Sequence, residues 1–305
     1  MHVSELNPAQ RRVLVELMAV GRDRPRFGAD LAVDLRTEIE AAIGPLLGEE
    51  GEALWVSKGA LGQVHACEAH FQAADGEGFE WNAGNARGTV AHRAVELTLS
   101  ARGGAQPLDL VDQALTSLGA DDPRGLLRPW LAQASELEVA DLRAGANDVV
   151  AKFLECWPPL KPAWIPRTEM RIGADLCEGR VVLRGKVDLV LGQARGDEAR
   201  ALVVDLKTGG AYPSHLDDLR FYALVQTLRI GVPPFRVASY YLDTATFHFE
   251  DVTVETLALA ARRAVDGARK LLELRQGRAP GITPGPQCSW CRLADSCEGA
   301  LSLRH

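Results

Sequence analysis

Residues 203–210 read VVDLKTGG. Val203 and Val204 favour a strand, and Thr208-Gly209-Gly210 supplies a turn to end it. Side chains two apart in a strand share a face, so Asp205 and Lys207 project together while Leu206 points the other way, into a core. Upstream, LRGKVD ends a second strand-like segment on Asp188. If the two strands pair, two carboxylates and an ammonium meet at one sheet edge. Two carboxylates can hold Mg²⁺ or Mn²⁺ with positions left for water and phosphate. Such an ion polarises the phosphate and activates water, and Lys207 would stabilise the developing charge or orient the nucleophile. An arginine could do the electrostatic part but could not readily give up a proton. A surface ion pair is the alternative that this pattern leaves open.

Three further groups have types and spacing suited to chemistry. Cys288-x2-Cys291-x5-Cys297 places three thiols in one Gly/Pro-rich loop, enough to wrap a metal centre that still needs a fourth ligand. Zinc and an iron–sulfur cluster both accept four thiolates, so spacing does not separate them. Cys67, between His65 and His70, is the best candidate for the fourth, and Cys156 and Cys177 read as structural thiols. His92 lies on a helix begun by Gly88-Thr89, where a neutral imidazole could complete an open site with Asp188 and Asp205. Arg220 and Tyr222 lie on the helix after VVDLK, which could present them to a phosphate backbone, although a core tyrosine and a surface arginine fit that pattern equally well.

The elements that must position these groups follow from periodicity. Residues 1–50 carry two helical stripes, AQRRVLVELMAVG and ADLAVDLRTEIEAAIGPLL, separated by GRDRPRFG, and are expected to form an N-terminal helical lobe. A second domain is expected over 51–305. It opens with a short helix over 55–71 capped by Ser57, continues with a helix from 84 and carries a helical insertion over about 105–160. After CWPPLKP the pattern turns to strands: TEMRIGADL and RVVLRGKVDLVLG as a hairpin about Cys177-Glu178-Gly179, then ALVVDLKTG. An amphipathic helix ending before Gly231, two more strands and a long helix over about 253–276 complete an α/β core.

The 305 residues carry a net charge of −7, which argues against non-specific coating of nucleic acid but leaves room for a local basic groove. Six cysteines in a large chain with no signal-peptide pattern and no bilayer-length apolar run point to the cytoplasm and to metal rather than disulfides. Only six of the 34 basic residues are lysine, so a lysine beside an acidic pair is informative.

Taken together, in order from about residue 55 to 298, these motifs resemble the RecB-like nucleases of the PD-(D/E)XK superfamily. The resemblance is strongest to the iron–sulfur branch that includes CRISPR-associated RecB-like exonucleases and the AddB nuclease domain. VSKGALGQVHACEAHF looks like that family's opening segment, RGTVAHRAVE like its Gly…His helix, and VVDLKTG like its (D/E)-x-K strand. The resemblance implies a restriction-endonuclease-like core, with Asp188, Asp205 and Lys207 catalytic and His92, Asp188 and Asp205 holding Mg²⁺ or Mn²⁺. It implies a [4Fe–4S] cluster on Cys67, Cys288, Cys291 and Cys297 that staples the tail to the start of the domain. It also implies a deoxyribonuclease acting on single-stranded DNA ends in repair or CRISPR-type processing, with a helicase or adaptation protein as partner. A catalytically silent DNA- or helicase-binding module is the rival. The chain departs from the family in Glu68, where proline is usual, and in Asp218, where glutamine usually stands four residues before the tyrosine.

Overall fold

The computed structural model describes residues 6–48, 51–74, 80–99, 106–120 and 127–304. Residues 1–5 and 49–50 of the expected lobe, and 105 and 121–126 of the expected insertion, lie outside that set. The helices are α1 (Pro8–Arg12, continued by a wider turn, Val13–Leu17), α2 (Leu31–Ile43), α3 (Lys58–Ala66), α4 (Glu68–Ala74), α5 (Ala83–Leu97), α6 (Pro107–Gly119), α7 (Leu127–Gln133), α8 (Glu136–Cys156), α9 (Ser214–Ile230), α10 (Val254–Arg275) and α11 (Glu298–Leu301). The strands are β1 (Leu54–Val56), β2 (Arg167–Leu176), β3 (Val181–Leu191), β4 (Leu202–Lys207), β5 (Arg236–Tyr241) and β6 (Thr246–Asp251).

All six strands form one mixed sheet in the order β1-β3-β4-β5-β6, with β2 on the other edge of β3. β2 and β3 form the expected hairpin, and Cys177, Glu178 and Gly179 all take positive φ in its turn. β3 and β4 pair antiparallel, as the carboxylate argument required. β1 is a strand that periodicity did not reveal, because three residues are too few to show alternation. Ser57 caps α3, its side chain accepting from Ala60 N–H, and Gly231 ends α9 with φ 90°.

Two apolar layers cover the sheet. One joins α1, α5, α6 and α8 to Leu189, Leu202, Val204 and Leu206. The other joins α2, α3, α9 and α10 to Val187, Val190, Val203 and Val237. Residues 6–48 therefore do not stand apart as a lobe. Leu14 and Leu17 sit in the first layer and Leu35, Ile39 and Ile43 in the second, on opposite faces of one sheet. Each fully buried leucine or isoleucine contributes about 2 kcal/mol, so both helices are integral to the core. Among the described residues, no helix is long and apolar enough to cross a membrane.

Candidate active site

The sheet leaves an interval uncovered along β3. On one edge β3 pairs with β1 over Val181–Leu183 and with β4 over Leu189–Leu191. Among the described residues no strand pairs with the residues between them on that edge, and Asp188 lies at the end of this gap. Instead of a strand, Asp188 itself accepts the Leu206 N–H on its Oδ2 at 2.8 Å. A side chain thus replaces a backbone carbonyl in the ladder, which orients the carboxylate.

Four elements deliver groups to the gap. β4 delivers Asp205, which is 1% exposed, and Lys207, whose Nζ lies 2.6 Å from Asp205 Oδ2. α5 delivers His92, whose Nδ1 lies 3.3 Å from Asp188 Oδ1. Gly88, one turn earlier on α5, permits that approach: a Cβ there would come 2.9 Å from Thr208 Oγ1, just past the end of β4. β2 delivers Glu169, opposite Asp188 in the hairpin and with φ 51°. α3 delivers Lys58, whose Nζ lies 3.0 Å from Asp205 Oδ1 and 3.7 Å from Asp218.

His92, Glu169 and Asp188 each offer a ligand atom, all within 4.8 Å of one another. Asp205 stands just outside this trio, drawn to the two lysines. Burial favours neutral imidazole at His92, yet the Asp188 charge and hydrogen bond, with Glu169 and Asp205, outweigh it and hold its pKa above the ordinary value. Burial would raise the pKa of Asp188, but His92, Lys58 and the Leu206 N–H hold it below the usual carboxylate range. Lys58 is likewise pushed down by burial and raised more strongly by Asp205 and Asp218, so it stays charged.

Comparison with known proteins decides the family. The model of the PD-(D/E)XK nuclease superfamily matches residues 56–298, most of the chain. The chain belongs to the PD-(D/E)XK nuclease superfamily. An exonuclease candidate from Eubacterium rectale shares its fold at a TM-score of 0.50 and 11% identity, over 92% of this chain and 94% of that one. The structure named SSO0001 aligns at a TM-score of 0.36 and 12% identity, over 90% of this chain and 98% of that one. No curated protein matches the sequence.

Within this PD-(D/E)XK core, Asp188, Asp205, Lys207 and His92 converge. Tyr222 and Arg220 are placed differently from the expectation that they meet a substrate. Tyr222 is 1% exposed, and its hydroxyl donates to Lys186 O at 2.7 Å, filling the space that Gly185 leaves along β3. Arg220 is held by both carboxylate oxygens of Glu250, at 2.9 and 2.6 Å. Asp218, in the usual glutamine position, accepts from Lys207 Nζ at 3.2 Å. Its charge balances the second ammonium in the gap.

Glu169 and Lys58 are the residues that sequence reasoning missed. Glu169 was accessible from the hairpin register, which places it opposite Asp188 once the turn is located. Lys58 was accessible as a scarce lysine directly after a capping serine. Lys186 pairs with Glu169, so half of the chain's six lysines surround this site.

The tail meets the start of the domain at Cys67. Thr283 N–H donates to Cys67 Sγ at 3.5 Å, Gly285 N–H to Cys288 Sγ at 3.4 Å, and the Gln287 amide to Ala66 O at 3.4 Å.

Proposed function

We propose that the chain hydrolyses phosphodiester bonds at the ends of single-stranded DNA, using Mg²⁺ or Mn²⁺ held by His92, Asp188 and Glu169 with Asp205 alongside. The observation that carries this reading is the meeting of three donor side chains with a carboxylate–lysine pair in the uncovered interval of β3. The donors suit a hard divalent cation: two carboxylates and an imidazole, beside the buried Asp205, whose Oδ2 is paired with Lys207. When bound, the ion would supply Lewis acidity and a water acidic enough to attack at neutral pH. Lys207 and Lys58 would meet the charge that builds on the phosphate, in a low-dielectric site where such charges count most. Asp188 is kept ionised chiefly by His92 and Lys58 and is oriented by the Leu206 N–H. His92 has to shed its proton before it can act as a donor.

We also propose that Cys67, Cys288, Cys291 and Cys297 hold a [4Fe–4S] cluster, with zinc the alternative occupant. The N–H···S contacts at Cys67 and Cys288 suit sulfur anions, although among the described residues only His92, Glu169 and Asp188, and not the cysteine sulfurs, already lie within ligand range of one another. A helicase or a CRISPR-type adaptation or repair protein would be the partner that supplies single strands.

The test is cleavage of end-labelled single-stranded DNA with Mn²⁺ by wild type and Asp205→Ala. Cleavage by wild type and its loss in the variant are expected, and product lengths will report polarity. Absence of cleavage by folded wild type with its thiol site loaded would sink this reading in favour of a silent DNA- or helicase-binding module.

A further inference from the structure

Two arginine-bearing segments take no part in the site above. GRDRPRFG, residues 21–28, and GQARGDEARA, residues 192–201, are zipped together. Phe27 N–H donates to Asp197 O at 3.1 Å and Ala199 N–H to Pro25 O at 2.9 Å, and Arg26 pairs with Asp197 at 2.5 Å. Beside this junction opens a cavity of about 620 Å³. Leu191, Leu202 and Phe235 contribute apolar surface, while Arg24, Arg195, Arg200 and Trp164 line it with three guanidinium groups and one indole. Among the described residues no carboxylate lines it, although acidic residues outnumber basic ones in the chain as a whole.

The guanidinium groups are poised for an anion. Arg24 is anchored by donating to Met18 O at 2.9 Å and by lying 3.9 Å from the Phe235 ring centroid. Burial, together with the like charges of Arg236 and Arg200, pushes its pKa below the ordinary arginine value, so an anion would relieve its environment. Arg200 touches Glu198 only at 3.4 Å, and Arg195 makes no side-chain ion pair among the described residues. Lys161 Nζ lies 5.4 Å from the Trp164 ring centroid, outside the cavity lining. Guanidinium forks match phosphate oxygens, and the half-buried Trp164 ring, which lines the cavity, offers a base a stacking surface without regard to sequence.

We infer that this cavity is a second nucleotide-binding site, seating a phosphate on Arg24, Arg195 and Arg200 and a base against Trp164. The inference rests on the nucleic-acid reading of the active site. Leu191 and Leu202 lie three residues from Asp188 and Asp205, about 10 Å along their strands, so the seated nucleotide is not the one cleaved. It belongs either to a bound strand or to a released mononucleotide; the chemistry is the same.

The experiment measures binding without added divalent metal, so that nothing is cleaved. Labelled oligothymidylate is titrated by anisotropy over a salt series, and thymidine monophosphate by tryptophan fluorescence. The Arg195→Gln/Arg200→Gln double variant removes two exposed side chains and should keep the wild-type melting temperature. It should bind the oligonucleotide about tenfold or more weakly, with a log–log salt slope shallower by about 0.7, one single-strand phosphate contact's worth. Trp164→Phe should abolish the part of the fluorescence change that arises at the cavity. A monophosphate signal displaced by oligonucleotide would assign the site to both sources, and binding of the oligonucleotide alone would assign it to the strand. Wild-type affinity and slope in the double variant, with no monophosphate signal, would overturn the inference. Cleavage with Mn²⁺ is scored on the same proteins. A wild type that does not cleave, but whose binding falls in the double variant, would sink the nuclease reading and leave the cavity standing.

Discussion

The gap along β3 and the cysteine-bearing tail both join distant parts of the chain, but they are held by different forces. In the gap each group rides on a regular element that is buried on its own account. His92 is carried by a helix that buries Val90, Ala91, Ala94 and Val95, and Asp205 by a strand buried along nearly its whole length. Between Arg275 and Gly299, by contrast, the one buried residue is Gln287. The tail is held by polar contacts such as Gly281 N–H to Glu68 Oε2 at 2.8 Å and Ala69 N–H to Gly281 O at 3.1 Å. Packing can preorganise the first region. The second has no fully buried apolar side chain to offset its chain entropy, and a cross-link there closes a very long loop, where closure has most to contribute.

Mutations should separate the two regions. The largest effect is expected from Asp188→Asn, which keeps an acceptor for the Leu206 N–H but removes the charge. Cleavage should fall by roughly a thousandfold with the melting temperature little changed; a collapse in stability instead would show that the gap depends on its charges for folding. Glu169→Gln should weaken Mn²⁺ binding about tenfold to a hundredfold, read by titration calorimetry. Unchanged affinity would remove Glu169 from the donor set. Cys291→Ala should do the reverse of Asp188→Asn. It should lower stability by about 2 kcal/mol or more and reduce the yield of folded protein, with the rate per folded molecule nearly unchanged. An inactive variant as stable as wild type would contradict a stapling role.

A fourth prediction concerns protons. Because the folded pKa of His92 is raised, its stabilising contribution to the metal-free protein is complete below the unfolded value and is lost as pH rises through the folded one. Cation binding expels that proton. Mn²⁺ affinity should therefore climb with pH, up to about tenfold per unit, and level off above the folded pKa, which lies above 6.5. A flat profile from pH 6 to 8 would exclude protonated His92 as the competitor. The smallest effect is expected from Tyr222→Phe. It leaves the Lys186 carbonyl without its donor, costs about 1 kcal/mol in a denaturant melt, and barely alters cleavage.

Much of the site was legible because its signals are local. Alternation in VVDLK puts Asp205 and Lys207 on one face, and the helical stripe of Val90, Ala94 and Val95 carries His92 whatever it packs against, although the helix opens at Ala83 and not at the expected Gly88-Thr89. The missing parts depend on register or on distant packing. Glu169 becomes visible only when the hairpin is aligned residue by residue. Lys58 belongs to the site because β1 stops beside Leu183 and α3 then turns into the gap. The pattern around Arg220 and Tyr222 was equally compatible with contact to a substrate and with internal partners, and only β6 and β3 supply the Glu250 and Lys186 that engage them.

The sequence by itself determined the order of elements, the acidic pair with its lysine, and the thiol spacing. These follow from side-chain periodicity, capping and turn chemistry over a few residues. Tertiary structure alone decided that residues 6–48 divide between the two faces of the sheet, that β3 is left bare where Asp188 sits, and that arginines from residues 24, 195 and 200 line one cavity. The reason is that an apolar stripe specifies burial but not its partner. Which surfaces meet is settled only when all of them compete for the same core.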